Sequence, residues 1–205
     1  CASYFDNRKC EPATFDLFIR RLPPDRSYFL FAGLEQALSY LEQVRFTDEH
    51  INYLRSQGFK EDFLQYLKNF RFKGEVYAVP EGSIVFPNEP LIRVTAPIIE
   101  AQLVETFLLN TINLQTMIAT KASRVVHAAQ GRPIIEFGLR REHGIDAGMK
   151  VARSTYLAGC AGTSNVLAGM VYGIPVFGTM AHSFVMSYEK EIDAFRAFAK
   201  TFPSK

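Results

Sequence analysis

The chain has 205 residues, of which 48% are hydrophobic and 21% charged, so it can form one large domain or two small ones around a substantial core. Its formal net charge is +2 with acids and bases interspersed, a pattern that lacks the charged tail or basic patch of a nucleic-acid-binding protein. We expect no membrane-spanning segment, because no apolar run is long enough, and no signal peptide, because residues 1–6 lack the charged-then-apolar plan of one. Its cysteines are few and odd in number, which indicates a reducing, cytoplasmic compartment.

The first third of the chain predicts one strand followed by helices. Residues 13–21 alternate between apolar and polar side chains, as a strand does, and the prolines of 22–27 predict a loop. Apolar residues at helical spacing then predict helices over 31–42, 47–58 and 61–69.

The middle of the chain predicts a strand module and a long helical region. Residues 72–96 contain several glycines and prolines between short β-rich runs, which indicates a small antiparallel strand module. Residues 98–130 lack glycine and proline and predict either one long helix or two in tandem. In the second case Asn110, Asn113 and Gln115 would mark the break.

From Gly131 onward, strand-like and helical runs alternate. In chain order they are a strand at 133–137, a helix at 145–158, a loop at 160–165 with a short helix after it, a strand at 174–177 and a helix at 188–200. This alternation predicts a parallel sheet or barrel with crossover helices. The last helix is amphipathic, and we expect Ile192, Phe195 and Ala199 on one side of it. We therefore predict an α/β protein with an α+β domain over 1–130 and β/α units over 131–205.

Three loops of the β/α region combine a glycine with polar or basic side chains. They cover residues 136–141, 161–165 and 177–183, and each follows a strand or strand end. In parallel β/α folds the working residues lie in such loops, at the carboxyl ends of the strands. Together the loops supply guanidinium groups, hydroxyls and one imidazole, a set that suits an anionic ligand with a flat ring.

Five residues in these loops are the candidate site, and each has both a functional and a structural interpretation. Arg140 can hold a carboxylate or phosphate, or form a surface ion pair. Phe137 can stack on a planar ring, or lie in the core. Ser164 and Thr179 can hydrogen-bond ring substituents, although Ser164 also suits a helix cap. His182 can be an acid, base, phosphoryl acceptor or metal ligand, or a hydrogen-bonded structural residue.

The loop motifs, taken in order, resemble the nicotinate phosphoribosyltransferase family. They read EFGLRR at 136–141, AGTSNVLAG at 161–169 and GIPVFGTMAHSFV at 173–185. Upstream, ATFDLFIRRLP at 13–23 and LLNTINLQTMIATKASRV at 108–125 are also similar to the family, so the resemblance covers essentially the whole chain. It implies that the β/α units begin an irregular type II phosphoribosyltransferase barrel, which this sequence leaves incomplete.

The resemblance also implies an activity and its requirements. The family couples ATP hydrolysis to the joining of nicotinate and 5-phosphoribosyl 1-pyrophosphate, which yields nicotinate mononucleotide for NAD synthesis. It implies ATP and Mg²⁺ as cofactors and a cytoplasmic homodimer in the full-length form. By motif, His182 matches the phosphorylated histidine and Thr179 a nicotinate-contacting position. Phe137 and Arg140 resemble the ring-stacking and ring-positioning pair of the related nicotinamide enzyme.

Two alternatives remain at this point. A nicotinamide-specific relative would carry aspartate where this chain has Ser164. A carboxylate at that position would repel the carboxylate of nicotinate, so Ser164 favours nicotinate over nicotinamide as the substrate. The sequence also departs from the family pattern at both ends. It lacks an upstream aromatic residue that crosses the dimer interface, and the downstream barrel strands. We therefore keep open a non-catalytic, truncated fragment of the enzyme.

Overall fold

The computed structural model describes residues 1–203, and its elements are numbered here in chain order. The helices are α1 (Ala2–Asp6), α2 (Leu34–Gln43), α3 (Asp48–Ser56), α4 (Glu61–Lys68), α5 (Ile98–Ala128), α6 (Ile145–Leu157), α7 (Val166–Tyr172), α8 (His182–Met186) and α9 (Glu191–Thr201). The strands are β1 (Pro12–Leu17), β2 (Phe29–Leu30), β3 (Glu75–Ala78), β4 (Ile84–Val85), β5 (Ile92–Pro97), β6 (Ile135–Glu136) and β7 (Gly162–Thr163). The α/β fold class is confirmed, and the described residues form no closed barrel. Within them, no helix is both long and apolar enough to cross a membrane.

The predicted module contributes β3 and β5 to a three-stranded antiparallel sheet with β5 in the middle, and the separately predicted strand at 13–21 contributes β1. Residues of β5 alternate in burial, so that Ile92 and Val94 face the core while Arg93 faces solvent. Arg93 lies opposite Asp16 of β1, and its Nε donates to the Asp16 carboxylate at 2.8 Å. This pair explains how a charged residue fits within the apolar run of β1.

The first predicted helix begins later than expected, because the residues before it form β2. Strand β2 pairs with β4 on one edge, and side chains of α5 satisfy its other edge. The Leu30 amide donates to Thr120 Oγ1 at 2.9 Å, and the Ala32 amide donates to Thr116 Oγ1 at 3.2 Å. Both threonines are buried, so a helix here supplies the hydrogen bonds that a neighbouring strand would otherwise provide.

This arrangement predicts a measurable role for the Thr120 hydroxyl in stability. Replacing Thr120 with the isosteric valine leaves the buried Leu30 amide without an acceptor, which should lower the free energy of unfolding by about 1–3 kcal/mol. Urea denaturation of the two proteins measures this difference. Thr106 lies on the same helix but is exposed, so Thr106→Val should change stability by less than about 0.5 kcal/mol. Equal losses at the two positions would contradict the assignment.

Helix α5 is continuous over 31 residues, so the tandem-helix alternative is wrong. Of the polar residues that could have broken it, Asn110 and Asn113 are exposed, and Gln115 is buried with partners. Gln115 is fully buried, donates to Gln36 Oε1 of α2 at 2.7 Å, and accepts from Ser154 Oγ of α6 at 3.4 Å. Buried amides with partners are tolerated in a helix interior, and here they join α5 to helices from both halves of the chain.

Helices α3 and α4 pack around a second apolar cluster, made of Ile51, Phe63, Leu64 and Leu67. The start of α3 is the one that the sequence predicted. Thr47 Oγ1 accepts from the His50 amide at 3.3 Å, while His50 Nδ1 accepts from the Thr47 amide at 3.2 Å. This reciprocal cap satisfies backbone donors at the first turn.

The predicted apolar side of the last helix is largely exposed in the structure. Ile192 and Phe195 of α9 are 50% and 41% exposed, whereas Ala194 is fully buried. The helix packs on α8 instead, with the Phe198 ring 6.3 Å from that of Phe184. The small residue Ala194 is therefore the buried one on this helix, while the larger Ile192 and Phe195 side chains remain exposed. The division of the chain at residue 130 stays a prediction.

Candidate functional site

Three short parallel strands bring the candidate loops to one edge. Ile135 and Glu136 of β6 lie opposite Gly162 and Thr163 of β7 in parallel register. Thr163 also forms a parallel bridge with Val176. Because the carboxyl ends of parallel strands meet at the same edge, the loops that follow all three strands leave from neighbouring points.

These strands are shorter than predicted, because prolines interrupt two of them. Pro133 and Pro175 have no amide hydrogen to donate to a ladder, so the runs at 133–137 and 174–177 pair only at their later residues. Pro175 still contributes its carbonyl, which accepts from the Thr163 amide at 3.0 Å. Conversely, the predicted loop at 160–165 contains β7, a strand too short to show periodicity.

Phe137 and Arg140 lie in the loop after β6. Phe137 is 48% exposed, so the core interpretation is wrong and its ring has a face available for stacking. Arg140 is exposed in a single 3₁₀ turn, Leu139–Arg141. This turn is seated on α6 at Gly148, where a Cβ would lie only 2.3 Å from Leu139 Cδ1. The Leu139 side chain therefore packs directly on the backbone of α6, beside the turn that carries Arg140.

Ser164 directly follows β7, and its amide donates to the Glu136 carbonyl at 2.8 Å. The helix cap predicted for this loop is formed by Asn165 and not by Ser164. Asn165 Oδ1 accepts from the Ala168 amide at 3.1 Å and begins α7. The partly buried Ser164 hydroxyl is therefore not used as the cap, and the structure places it beside the loop of Phe137.

Thr179 and His182 lie in the third loop, and both are exposed. The loop is anchored at its start, where the Phe177 amide donates to the Thr163 carbonyl at 3.0 Å. His182 is the first residue of α8, a helix of 5 residues that the sequence analysis missed because it is too short to show a periodic pattern. The structure thus brings the loops of all five predicted residues to one edge, while their chemical roles stay predictions.

Glu136 is a site residue that sequence reasoning missed. Its Oε2 accepts from Thr163 Oγ1 at 2.6 Å, and its Oε1 accepts from the Gly138 amide. Burial and the Glu136 charge together raise the pKa of Glu142, partly offset by His143 and Lys121. A carboxylate within the apolar run of 133–137 was the available signal, since an acid in a buried strand needs partners.

The conspicuous clefts of the molecule lie elsewhere. One of about 590 Å³ runs between the end of β1 and α5, and another of about 800 Å³ lies between α1 and α4. Both are lined by residues that precede position 118, and neither includes a residue of the three candidate loops. Chemistry and strand geometry, rather than cavity size, therefore locate the candidate site.

Solved structures share this fold. Human nicotinic acid phosphoribosyltransferase aligns with a TM-score of 0.84 and 37% identity, covering 91% of this chain and 39% of the human one. Nicotinate-nucleotide pyrophosphorylase from Pyrococcus furiosus aligns with a TM-score of 0.78 over 97% of this chain and 44% of its own, and at 24% identity it supports the fold alone. The chain therefore has the fold of the type II phosphoribosyltransferases.

Sequence comparison identifies the family. The family model for the nicotinate phosphoribosyltransferase N-terminal domain matches residues 1–113. Nicotinate phosphoribosyltransferase pncB2 of Mycobacterium tuberculosis is 55% identical over 203 residues, which are 98% of this chain and 44% of that protein. The Bacillus subtilis nicotinate phosphoribosyltransferase is 49% identical over 92% of this chain and 39% of its own length. The chain belongs to the nicotinate phosphoribosyltransferase family and spans less than half the length of these curated relatives.

Proposed function

We propose that the full-length protein carrying this sequence is an ATP-coupled nicotinate phosphoribosyltransferase. It would join nicotinate to 5-phosphoribosyl 1-pyrophosphate, giving nicotinate mononucleotide and pyrophosphate. The observation that carries this proposal is the meeting of three parallel strand ends, whose loops present an exposed aromatic ring, a guanidinium, two hydroxyls and an imidazole. The family membership of the chain supports the same reaction.

Each predicted residue has a role in this proposal. Phe137 stacks on the pyridine ring, and Arg140 positions the ring through its guanidinium. Thr179 and Ser164 hydrogen-bond substituents of the ring without adding a negative charge. Bond formation passes through an oxocarbenium-like ribosyl centre, so holding the ring nitrogen in line with that carbon is the main contribution of these groups.

His182 couples the reaction to ATP. Its imidazole nitrogen accepts the γ-phosphoryl group, and ADP leaves. The exposure of the ring at the first residue of α8 supports this role, because an acceptor must be reachable by the nucleotide. A phosphoryl group there adds negative charge and acceptor oxygens beside the substrates. Its later hydrolysis supplies the gain in reaction rate that ATP provides.

Mg²⁺ belongs to the proposal as a companion of the phosphates. Among residues 1–203 no group of three or more His, Cys, Asp and Glu is placed to hold a metal ion. Magnesium is commonly held by substrate phosphates with few protein ligands, so phosphate oxygens would be its main ligands here. The ion would neutralise the charge of the pyrophosphate as it departs.

We also propose a homodimer in the cytoplasm. Exposed apolar side chains support self-association, among them Phe15 on β1, Phe18 directly after it and Leu109 on α5. The cysteines Cys1, Cys10 and Cys160 are free thiols, which agrees with a reducing compartment. Sedimentation of the full-length protein tests the dimer.

The assay for the activity uses the full-length gene product with labelled 5-phosphoribosyl 1-pyrophosphate and ATP. Nicotinate and nicotinamide are offered separately, and the nucleotide formed is measured. We expect turnover of nicotinate, faster in the presence of ATP. Turnover of nicotinamide alone would refute the specificity, and no turnover of either would favour a non-catalytic protein.

Ser164 should decide between the acid and the amide. Replacing Ser164 with aspartate places a carboxylate beside that of nicotinate, and an unpaired like-charge contact in a partly desolvated site should lower kcat/KM for nicotinate by about a hundredfold. Ser164→Asn is the matched control, because asparagine has nearly the same shape without the charge. Its kcat/KM should fall much less. Similar losses in both variants would show that size rather than charge matters at this position.

A further inference from the structure

A single buried residue, Thr163, touches all three strand-end segments. Its amide donates to the Pro175 carbonyl and its carbonyl accepts from the Phe177 amide, both at 3.0 Å. Its hydroxyl donates to Glu136 Oε2 at 2.6 Å and accepts from the Asn165 amide at 3.0 Å. The residue is fully buried, so water is not available to replace any of these bonds.

Glu136 carries the connection from Thr163 into the loop of Phe137 and Arg140. One carboxylate oxygen binds the Thr163 hydroxyl and the other accepts from the amide of Gly138, the residue directly after Phe137. The carboxylate therefore adds side-chain bonds between two segments that the main chain already joins through the ladder and through the Ser164 amide bond to the Glu136 carbonyl. Hydrogen bonds to a charged acceptor are stronger than neutral ones, so the Glu136 carboxylate can hold the loop firmly. We call the hydrogen-bonded pair of Glu136 and Thr163 the clamp.

The same network extends to the helices behind the loops. Asn165, whose amide binds the Thr163 hydroxyl, caps α7 through its Oδ1 and directs its Nδ2 to Met149 Sδ of α6 at 3.7 Å. Loss of the Thr163 hydroxyl would thus be felt at Glu136 and Asn165, whereas the third segment is held to Thr163 by main-chain bonds that do not need the hydroxyl. None of these groups is placed to react with substrate, because their polar atoms are already paired with one another.

We infer that Glu136 and Thr163 are positioning residues that hold the ring-binding loop of Phe137 and Arg140 in register with Ser164. The expected effect on nicotinate binding rests on the proposed function. The expected effect on loop geometry rests only on the hydrogen-bond network. Positioning residues act through geometry, and a ligand misplaced by about 1 Å can lose much of its reactivity. Loss of the clamp should weaken nicotinate binding more than it affects the phosphorylation of His182.

The test compares Thr163→Val with Thr163→Ser in the full-length gene product. Valine keeps the shape of threonine without its hydroxyl, whereas serine keeps the hydroxyl. We expect Thr163→Val to raise KM for nicotinate by roughly tenfold, with a smaller change in kcat and normal phosphorylation by ATP. Thr163→Ser should stay within about twofold of wild type, since the bonds are restored. A purely structural role would lower activity and phosphorylation together, and that result would overturn the inference.

A second measurement separates this inference from the proposed function. Hydrogen–deuterium exchange is followed in peptides covering 137–142 and 164–166 without any substrate. Both peptides should exchange faster in Thr163→Val and in Glu136→Gln, but not in Thr163→Ser. Unchanged exchange in the first two variants would overturn the inference whatever the substrate. If the wild type fails to use nicotinate while the exchange pattern holds, the proposed function fails and the clamp stands.

Discussion

Replacing His182 with asparagine should abolish the phosphoenzyme and remove the gain in rate that ATP provides. The exposed imidazole at the start of α8 is the proposed phosphoryl acceptor, and asparagine has no nitrogen nucleophilic enough to replace it. Labelling should fall to background when the full-length protein is incubated with ATP labelled at the γ-phosphate. The rate with ATP should fall to the rate without it, and that remaining rate should survive because the ring-binding loops are unchanged.

His127 provides the matched control for this experiment. It is also an exposed histidine, near the end of α5, and the family motifs assign it no role. His127→Asn should keep both the label and the ATP-dependent gain. Phosphate that persists on His182→Asn would show that another residue accepts it. Loss of label in both variants would point to a general effect of the substitution on folding.

Long, periodic elements of the fold were predictable from the sequence. Helix α5, the cap of α3 and the antiparallel module all follow from local patterns that extend over many residues. The short elements were missed or misplaced, among them α1, β2, β7 and α8. A strand of two residues, such as β2, is too short to show alternation. Its pairing depends on residues far along the chain, such as Thr120 of α5. The exposure of Ile192 and Phe195 on α9 could not be predicted for a related reason, because helix amphipathicity does not say which neighbour is present.

The candidate site was also predictable only in part. Its loops could be located because glycines and polar side chains follow apolar runs, and in parallel folds such loops share an edge. The structure agrees with that placement. The clamp of Glu136 and Thr163 could not be predicted, because the bond between their side chains depends on strand register. Sequence spacing alone does not reveal which side chain lies across from which.

The largest expected effect on stability lies at Arg153 of α6. Its guanidinium donates to both oxygens of Glu81, at 3.0 and 2.7 Å, and also binds Glu35. The Arg153 and Glu81 side chains are only 17% and 14% exposed, and Glu81 also accepts from the Leu34 amide at 3.0 Å. Arg153→Met keeps most of the side-chain stem but leaves a largely buried carboxylate without its cation. The free energy of unfolding should therefore fall by about 3 kcal/mol at neutral pH.

Lys150→Met on the same helix is the control for this loss. Lys150 lies 3.9 Å from Asp146, whose side chain is 83% exposed, so removing its charge should cost less than about 1 kcal/mol. Chemical denaturation measures both variants. Equal destabilisation would mean that any basic side chain of α6 contributes similarly, and that the pair with Glu81 has no special role.

The pH dependence of the Arg153→Met loss follows from Glu81. Burial by itself raises the pKa of Glu81, but hydrogen bonds from Arg153 and from the Gly33 and Leu34 amides outweigh it and lower the pKa below its ordinary value of 4.5. A carboxyl whose pKa is lower in the folded state stabilises the protein fully above its unfolded pKa, and this contribution is lost as the pH falls through the folded value. The difference in unfolding free energy between wild type and Arg153→Met should therefore be constant near neutrality and shrink below pH 4.5. A difference that stays unchanged under acid conditions would show that Arg153 stabilises the fold through packing of its stem and not through the charge of Glu81.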